Sequence, residues 1–280
     1  FWCYVTCASW SNLTLNEGFA NYAEYLWNEH QYGGDEADFS RINEINGYLN
    51  QMSMGGGPNL IDFTYADRED MFDAHSYNKG GLVLHMLRRY LGDDVFFAGL
   101  HKYLTEHALQ SVEAHDLRLA MEAVSGQDLN WFFNQWFFNQ GHPVLSIDKS
   151  YDAVNHMVNL EVEQIQDPQA SPAIFKLAVT VDIYDANGMA KRHHVIIDQR
   201  KEHLSLPAES EPALVLFDAN DDLLMVKMEN MSIQEYYNQY VFHTKYTHRM
   251  EALDHLFETD DPIRSEERRV GKECGSRGWP

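Results

Sequence analysis

The chain has 280 residues, enough for two domains and a sizeable core, and its 44% hydrophobic and 23% charged side chains are ordinary for a globular protein. Its 43 acidic and 21 basic residues give a formal net charge of −22, a surface that repels phosphate backbones and argues against nucleic-acid binding. No run approaches the roughly eighteen apolar residues of a membrane-spanning helix, and three cysteines (Cys3, Cys7 and Cys274) make no disulfide framework. Compartment and oligomeric state stay open.

Helical periodicity is expected from the start to about Gln140. Cys3 and Cys7 have the spacing of neighbours on one helix face. A helix over Asn16–Glu29 sets Glu17, Asn21 and Glu24 on one face, so that face presents two carboxylates. The stretch from there to Asp73 is less regular, with Gly55-Gly56-Gly57-Pro58 as its clearest break. From Asp73 to Leu91 a stripe recurs at Val83, Met86, Leu87, Tyr90 and Leu91, the period of a helix. Asp94 reads as the cap of a helix whose apolar side is Phe97, Leu100 and Leu104. Another helix runs from about Glu113 to Val124 and ends before Gly126. Asp128 then caps a short aromatic one holding Trp131, Phe132, Trp136 and Phe137.

From Pro143 the period changes to two. Val158, Leu160 and Val162 alternate with Asn159, Glu161 and Glu163, and Phe175, Leu177, Val179, Val181 and Ile183 repeat the pattern. Asn187-Gly188 predicts a type I′ hairpin turn, and further strands are expected at Val195–Ile197, His203–Leu206, Leu214–Phe217 and Leu223–Lys227. Short alternating strands with frequent turns read as a β-sandwich. Helical periodicity resumes near Ser232. Residues 264–280, beginning Arg-Ser-Glu-Glu-Arg-Arg-Val-Gly-Lys-Glu-Cys, look like the in-frame translation of a sequencing-adapter oligonucleotide. With five basic and three acidic residues they add +2 to the charge, and they are expected to be disordered. His193-His194, adjacent on a predicted strand, point to opposite faces, and His101 and His107 are six apart, so neither pair suits one metal ion.

The informative stretch is Val5-Thr6, Trp10 and Leu15-Asn-Glu-Gly-Phe-Ala20, with Tyr22 and Glu24 beyond it. It resembles the second half of the zinc motif of the aminopeptidase N family of gluzincin metallopeptidases. That family carries H-E-x-x-H and, about eighteen residues later, a glutamate inside Asn-Glu-Gly-Phe-Ala. The resemblance implies that Glu17 is a metal ligand, and it places both histidines and the general-base glutamate before Phe1. Trp2 and Cys3 stand where the family has Gly-Asn. Two histidines and one carboxylate, with a fourth position open, is a standard catalytic zinc set. Glu24 reads either as a residue that orients a ligand or as a solvated helix position.

A second match is Ala74-His-Ser-Tyr-Asn-Lys-Gly-Gly81, which resembles the family's Tyr-x-Lys-Gly segment and puts Tyr77 in the tyrosine's place. The family uses this phenol to donate a hydrogen bond to the oxyanion formed at the scissile carbonyl, a task that suits a group neutral near pH 7 on a rigid ring. Lys79 and Gly80 read as structural, Gly80 for close helix approach. Ser125-Gly-Gln-Asp-Leu129, Trp136-Phe137 and Gly141-His-Pro-Val144 resemble the junction between the family's catalytic domain and its β-sandwich.

The resemblance implies an α+β multidomain arrangement. Residues 1–142 are the mostly helical part of a thermolysin-like catalytic domain, 143–230 a β-sandwich and 231–263 the start of a truncated helical domain. It implies a zinc aminopeptidase acting on peptide substrates, of which this chain, without H-E-x-x-H, is an inactive internal fragment. Another zinc hydrolase of the same clan, or a catalytically dead relative serving as a binding module, would share these residues.

Overall fold

Periodicity and punctuation account for most of the architecture in a computed structural model, which describes residues 4–55 and 57–258. Cys3, the adapter-like stretch 264–280 and the last residues of the expected 231–263 segment lie outside the described residues. The chain opens not on a helix but on a short strand, β1 (Val5–Cys7), which pairs in parallel with β2 (Gln110–Val112). Cys7 therefore sits in extended backbone, and the helical spacing read for it and Cys3 does not apply.

Helix α1 (Thr14–Tyr32) buries Leu15, Glu17, Gly18, Phe19 and Tyr22, packs on its successor α2 (Gly34–Ser53), and stops at Gly33. The 20-residue α2 falls in the stretch expected to be irregular. Its buried stripe is Ala37, Arg41 and Tyr48, with Ile45 and Met52 partly buried, at helical spacing. A charged residue sits in the middle of that stripe, which is why hydropathy alone does not show it. Arg41 is buried because it pairs with Asp221 and lies near Asp38, so its charge is compensated inside the fold.

The expected Asp73–Leu91 helix forms in two parts, a π-helix over His75–Lys79 and then α3 (Gly80–Leu91). Helix α4 (Asp93–Glu106) starts one residue before the expected cap, after Gly92 at φ 82°. Asp93 and Asp94 occupy its first turn, where carboxylates face the positive end of the helix. Helix α5 (Ala114–Ser125) is closed at its start by a reciprocal Glu113–Asp116 box and at its end by Gly126 in the left-handed region. Asp128 accepts from the Asn130 N–H at 2.8 Å at the start of α6 (Asn130–Trp136).

The strands form two sheets. One has the order β7-β4-β3-β9, with β3 (Val144–Asp152) antiparallel to β4 (Met157–Gln164), β4 antiparallel to β7 (Lys201–Pro207), and β3 parallel to β9 (Val226–Glu229). The other has the order β6-β5-β8, with β5 (Leu177–Tyr184) antiparallel to both β6 (Ala190–Ile197) and β8 (Leu214–Phe217). Val158, Leu160 and Val162 are buried while their neighbours are not, as alternation requires. The β5–β6 connection differs from the type I′ turn expected. Asn187 is absent from the residues with positive φ and only Gly188, at 79°, is left-handed. The Asp185 N–H bonds to the Met189 carbonyl, so the loop has three residues and closes on a glycine bulge.

Side chains from both sheets and from α1 to α6 share one continuous apolar core, from Phe19 and Leu87 through Phe133 and Trp136 to Phe175 and Val181. Helices α7 (Ile233–Phe242) and α8 (Tyr246–Glu258) follow, and α8 leans on α2. No helix among the described residues is long and apolar enough to cross a membrane.

Candidate active site

The first candidate, Glu17, lies in the first turn of α1 and is 5% exposed. Burial raises its carboxyl pKa, and a hydrogen bond from the Tyr77 hydroxyl opposes the rise. Tyr77, on the π-helix, is half-buried, and burial followed by donation to Glu17 pushes its phenol up to about 12. Residues sixty apart in sequence are thus brought close enough to act on each other's proton equilibrium.

Two glycines permit the approach. A Cβ on Gly80 would lie 2.4 Å from Thr14 Oγ1 and 3.0 Å from Gly18 Cα, and one on Gly18 would lie 3.0 Å from the Gly80 backbone. Backbone therefore meets backbone where α1 crosses the start of α3, as the reading of Gly80 anticipates. Thr14 Oγ1 also donates to the Ser76 carbonyl at 3.1 Å, tying the two elements one turn before Glu17 and one residue before Tyr77.

Lys79 points away from this contact. It is fully buried, its ammonium donates to the Asn139 carbonyl at 3.3 Å, and it lies 6.0 Å from the Tyr48 ring. Burial brings its amine down to about 7. Tyr48 in turn is hydrogen-bonded to His142 Nδ1 at 3.1 Å, so this group anchors the π-helix to the junction before β3.

Glu24 lies two turns beyond Glu17 on α1 and is exposed. It lines a cavity of about 140 Å³ with Asn21, Tyr25, Arg41 and His85, between α1, α2 and α3. A larger groove of about 460 Å³, walled by Tyr90, Trp131, Trp136 and Ile196, involves neither Glu17 nor Tyr77.

Sequence reasoning did not single out Asp73 and Gln51, which hold the first turn of the π-helix. Asp73 Oδ1 accepts from the His75 and Ser76 N–H groups, both at 3.0 Å, and Gln51 Oε1 accepts from the Ala74 N–H at 2.7 Å. An aspartate three residues before a serine at a helix start was a readable signal for Asp73. Gln51 is twenty-two residues from its partner, and nothing local marks it.

As to a metal, the buried carboxylate of Glu17 is a suitable hard donor. Among the described residues, however, no group of three or more His, Cys, Asp or Glu side chains could hold an ion. The described residues do not complete a metal-binding set around Glu17. His193 and His194 face opposite ways on β6, the first half-buried and the second exposed.

The geometry agrees with the relationships found by comparison. Residues 2–136 match the family model for the peptidase family M1 domain. Aminopeptidase M1-A of Oryza sativa subsp. japonica is 32% identical over 164 residues, 58% of this chain and 18% of the relative. Tricorn protease-interacting factor F2 of Thermoplasma acidophilum is 35% identical over 150 residues, 52% of this chain and 19% of the relative. Aminopeptidase N of Streptomyces lividans is 27% identical over 242 residues, covering 80% of this chain and 28% of the relative. The crystal structure of Legionella pneumophila aminopeptidase A in complex with aspartic acid superposes with a TM-score of 0.74 over 90% of this chain and 28% of that one, at 18% identity, a likeness of fold. The chain thus spans less than a third of the length of these relatives. The Asn-Glu-Gly-Phe-Ala and Tyr-x-Lys-Gly segments both fall inside residues 2–136, the part of the chain that is similar to the M1 family of peptidases.

Proposed function

We propose that this chain carries one side of a zinc aminopeptidase site that removes amino-terminal residues from peptides. In this reading Glu17 is the carboxylate ligand of the metal and Tyr77 is the donor to the oxyanion. The observation that supports it most directly is the close crossing of the segments that carry Glu17 and Tyr77, tied by the Thr14 Oγ1 bond to the Ser76 carbonyl and by Gly18 against Gly80. Zinc, when bound, supplies Lewis-acid polarisation of the scissile carbonyl.

The residues present do the positioning. Burial of Glu17 keeps water from competing for its oxygens. The phenol, pushed up to about 12, stays protonated through the neutral range and so remains a donor. Glu24, exposed on the same helix face, would act on a ligand only through an intervening group. The domain limits at 142 and 230 belong to this proposal, with the π-helix and α1 on the catalytic side.

The test uses the full-length protein that contains this sequence, loaded with zinc and given an aminoacyl chromogenic substrate and its N-acetylated counterpart. Zinc-dependent release from the free-amine substrate alone, lost in Glu17→Gln, is expected. Hydrolysis indifferent to Glu17, or a preference for the blocked substrate, would reject the assignment.

A further inference from the structure

A π-helix leaves backbone donors at its start without partners inside the helix, and it is held only where the surroundings fix it. The segment that carries Tyr77 has three such donors, the N–H groups of Ala74, His75 and Ser76. Two side chains satisfy all three. Gln51, from the last turn of α2, accepts from Ala74 N–H at 2.7 Å and donates through Nε2 to Asp73 Oδ2 at 2.9 Å. Asp73 uses Oδ1 for His75 and Ser76 N–H, both at 3.0 Å, and its Oδ2 lies 3.1 Å from His75 Nδ1. The Asp73 carbonyl also receives the Tyr77 N–H at 3.2 Å.

From this geometry we infer that Gln51 and Asp73 are positioning residues for Tyr77. Together they fix the start of the π-helix, and with it the direction in which the phenol meets Glu17. Gln51 links the start of the segment to α2, because it alone of the two is on that helix, and it both accepts from the segment and donates to its cap. Burial by itself would raise the Asp73 carboxyl, but hydrogen bonds from His75, Ser76 and Gln51 outweigh it and keep it below the usual range. It is therefore ionised at neutral pH, and its bonds to the backbone are charge-assisted. His75, 1% exposed against the Tyr48 ring and Met52, closes the far side, so the turn cannot swing away from Gln51 without opening the core.

This assignment rests on Tyr77 as the phenol of the site, but its test needs no catalysis. The 280-residue chain is labelled with ¹³C at the ζ carbon of tyrosine and examined by NMR at fixed neutral pH. Tyr77→Phe identifies the Tyr77 resonance, and Glu17→Ala gives its position when the bond to Glu17 is absent. In Gln51→Met, which removes both bonds, the Tyr77 resonance should move at least halfway to that position while buried Tyr103 and Tyr184 keep theirs. Gln51→Glu keeps the acceptor for Ala74 but sets a second carboxylate against Asp73, and it should move Tyr77 in the same direction. If Gln51→Met fails to fold, Gln51→Glu decides. A Tyr77 resonance that stays in place, or one that moves only together with Tyr103 and Tyr184, would overturn the inference. Failure of the catalytic reading would appear separately, as full activity of Tyr77→Phe in the zinc-loaded protein.

Discussion

Glu17 and Tyr77 each carry a shifted proton equilibrium for the same first reason, loss of water, and each acts on the other's equilibrium. If the phenol's task is donation to an oxyanion, its removal should act on rate and not on binding. In the zinc-loaded full-length protein, Tyr77→Phe is expected to lower kcat by about 10²–10³ with little change in KM, the usual effect of losing one oxyanion donor. Steady-state kinetics check this, and a variant within twofold of the parent would show that Tyr77 is misassigned. Glu17 leads to a different expectation for the chain itself. With no three-donor group among the described residues, titration of the 280-residue chain with zinc should give no binding that Glu17→Gln abolishes. A stoichiometric, Glu17-dependent site in calorimetry would mean that other residues complete the set.

At the scale of elements, the site depends on how closely α1 and the π-helix–α3 segment can pass, and Gly18 and Gly80 set that distance. Gly80→Ala would press a methyl group against Thr14 Oγ1 and the Gly18 backbone, and backbone cannot rotate away. We expect a loss of about 1–3 kcal/mol, the usual cost of overpacking, measured as a lower urea midpoint of the chain. An unchanged midpoint would show that the two elements have room between them. This crossing was legible in the sequence because the Asn-Glu-Gly-Phe-Ala and Tyr-x-Lys-Gly segments each carry their own glycine. The strands of the two sheets were legible too, since Val158, Leu160 and Val162 declare their face by alternation. Helix α2 was not, because Arg41 stands in its buried stripe and its partners Asp38 and Asp221 come from the same helix and from a loop 180 residues away. Hydropathy cannot register a charge that is compensated by distant residues. The π-helix was hidden for a related reason: beside Asp73, its first turn is held by Gln51, a residue of another helix.

For the molecule as a whole, two half-buried histidines sit where its parts meet, and with His85 and His193, also lowered by burial, they shape how it responds to acid. His142, hydrogen-bonded to Tyr48 before β3, is brought down to about 4 by burial and by the nearby Lys79. His243, between α7 and α8 against Tyr184 and His248, is brought down to about 4 by burial and by His248, with Asp182 acting weakly the other way. In the unfolded chain each would take up its proton near 6.5. Between that value and about 4 the unfolded state binds more protons than the folded one, so the stability these groups allow is fully present above 6.5 and is lost as pH falls to 4. Glu17 and Asp38, both raised by burial, oppose them, and so does Asp218. Asp218, raised to about 6 by burial and by Asp221 and Asp222, binds its proton in the folded state first and gains stability on acidification from there to the ordinary aspartate range. Four lowered histidines, His85, His142, His193 and His243, against three raised carboxylates leave a net loss, so the urea midpoint should fall from pH 7 to pH 4. His142→Gln, which can keep a hydrogen bond to Tyr48 without taking up a proton, should make that decline shallower, and His142→Gln with His243→Gln shallower still, leaving the contributions of His85 and His193. A decline of the same steepness in the double variant would show that the acid response of this fold lies in other groups.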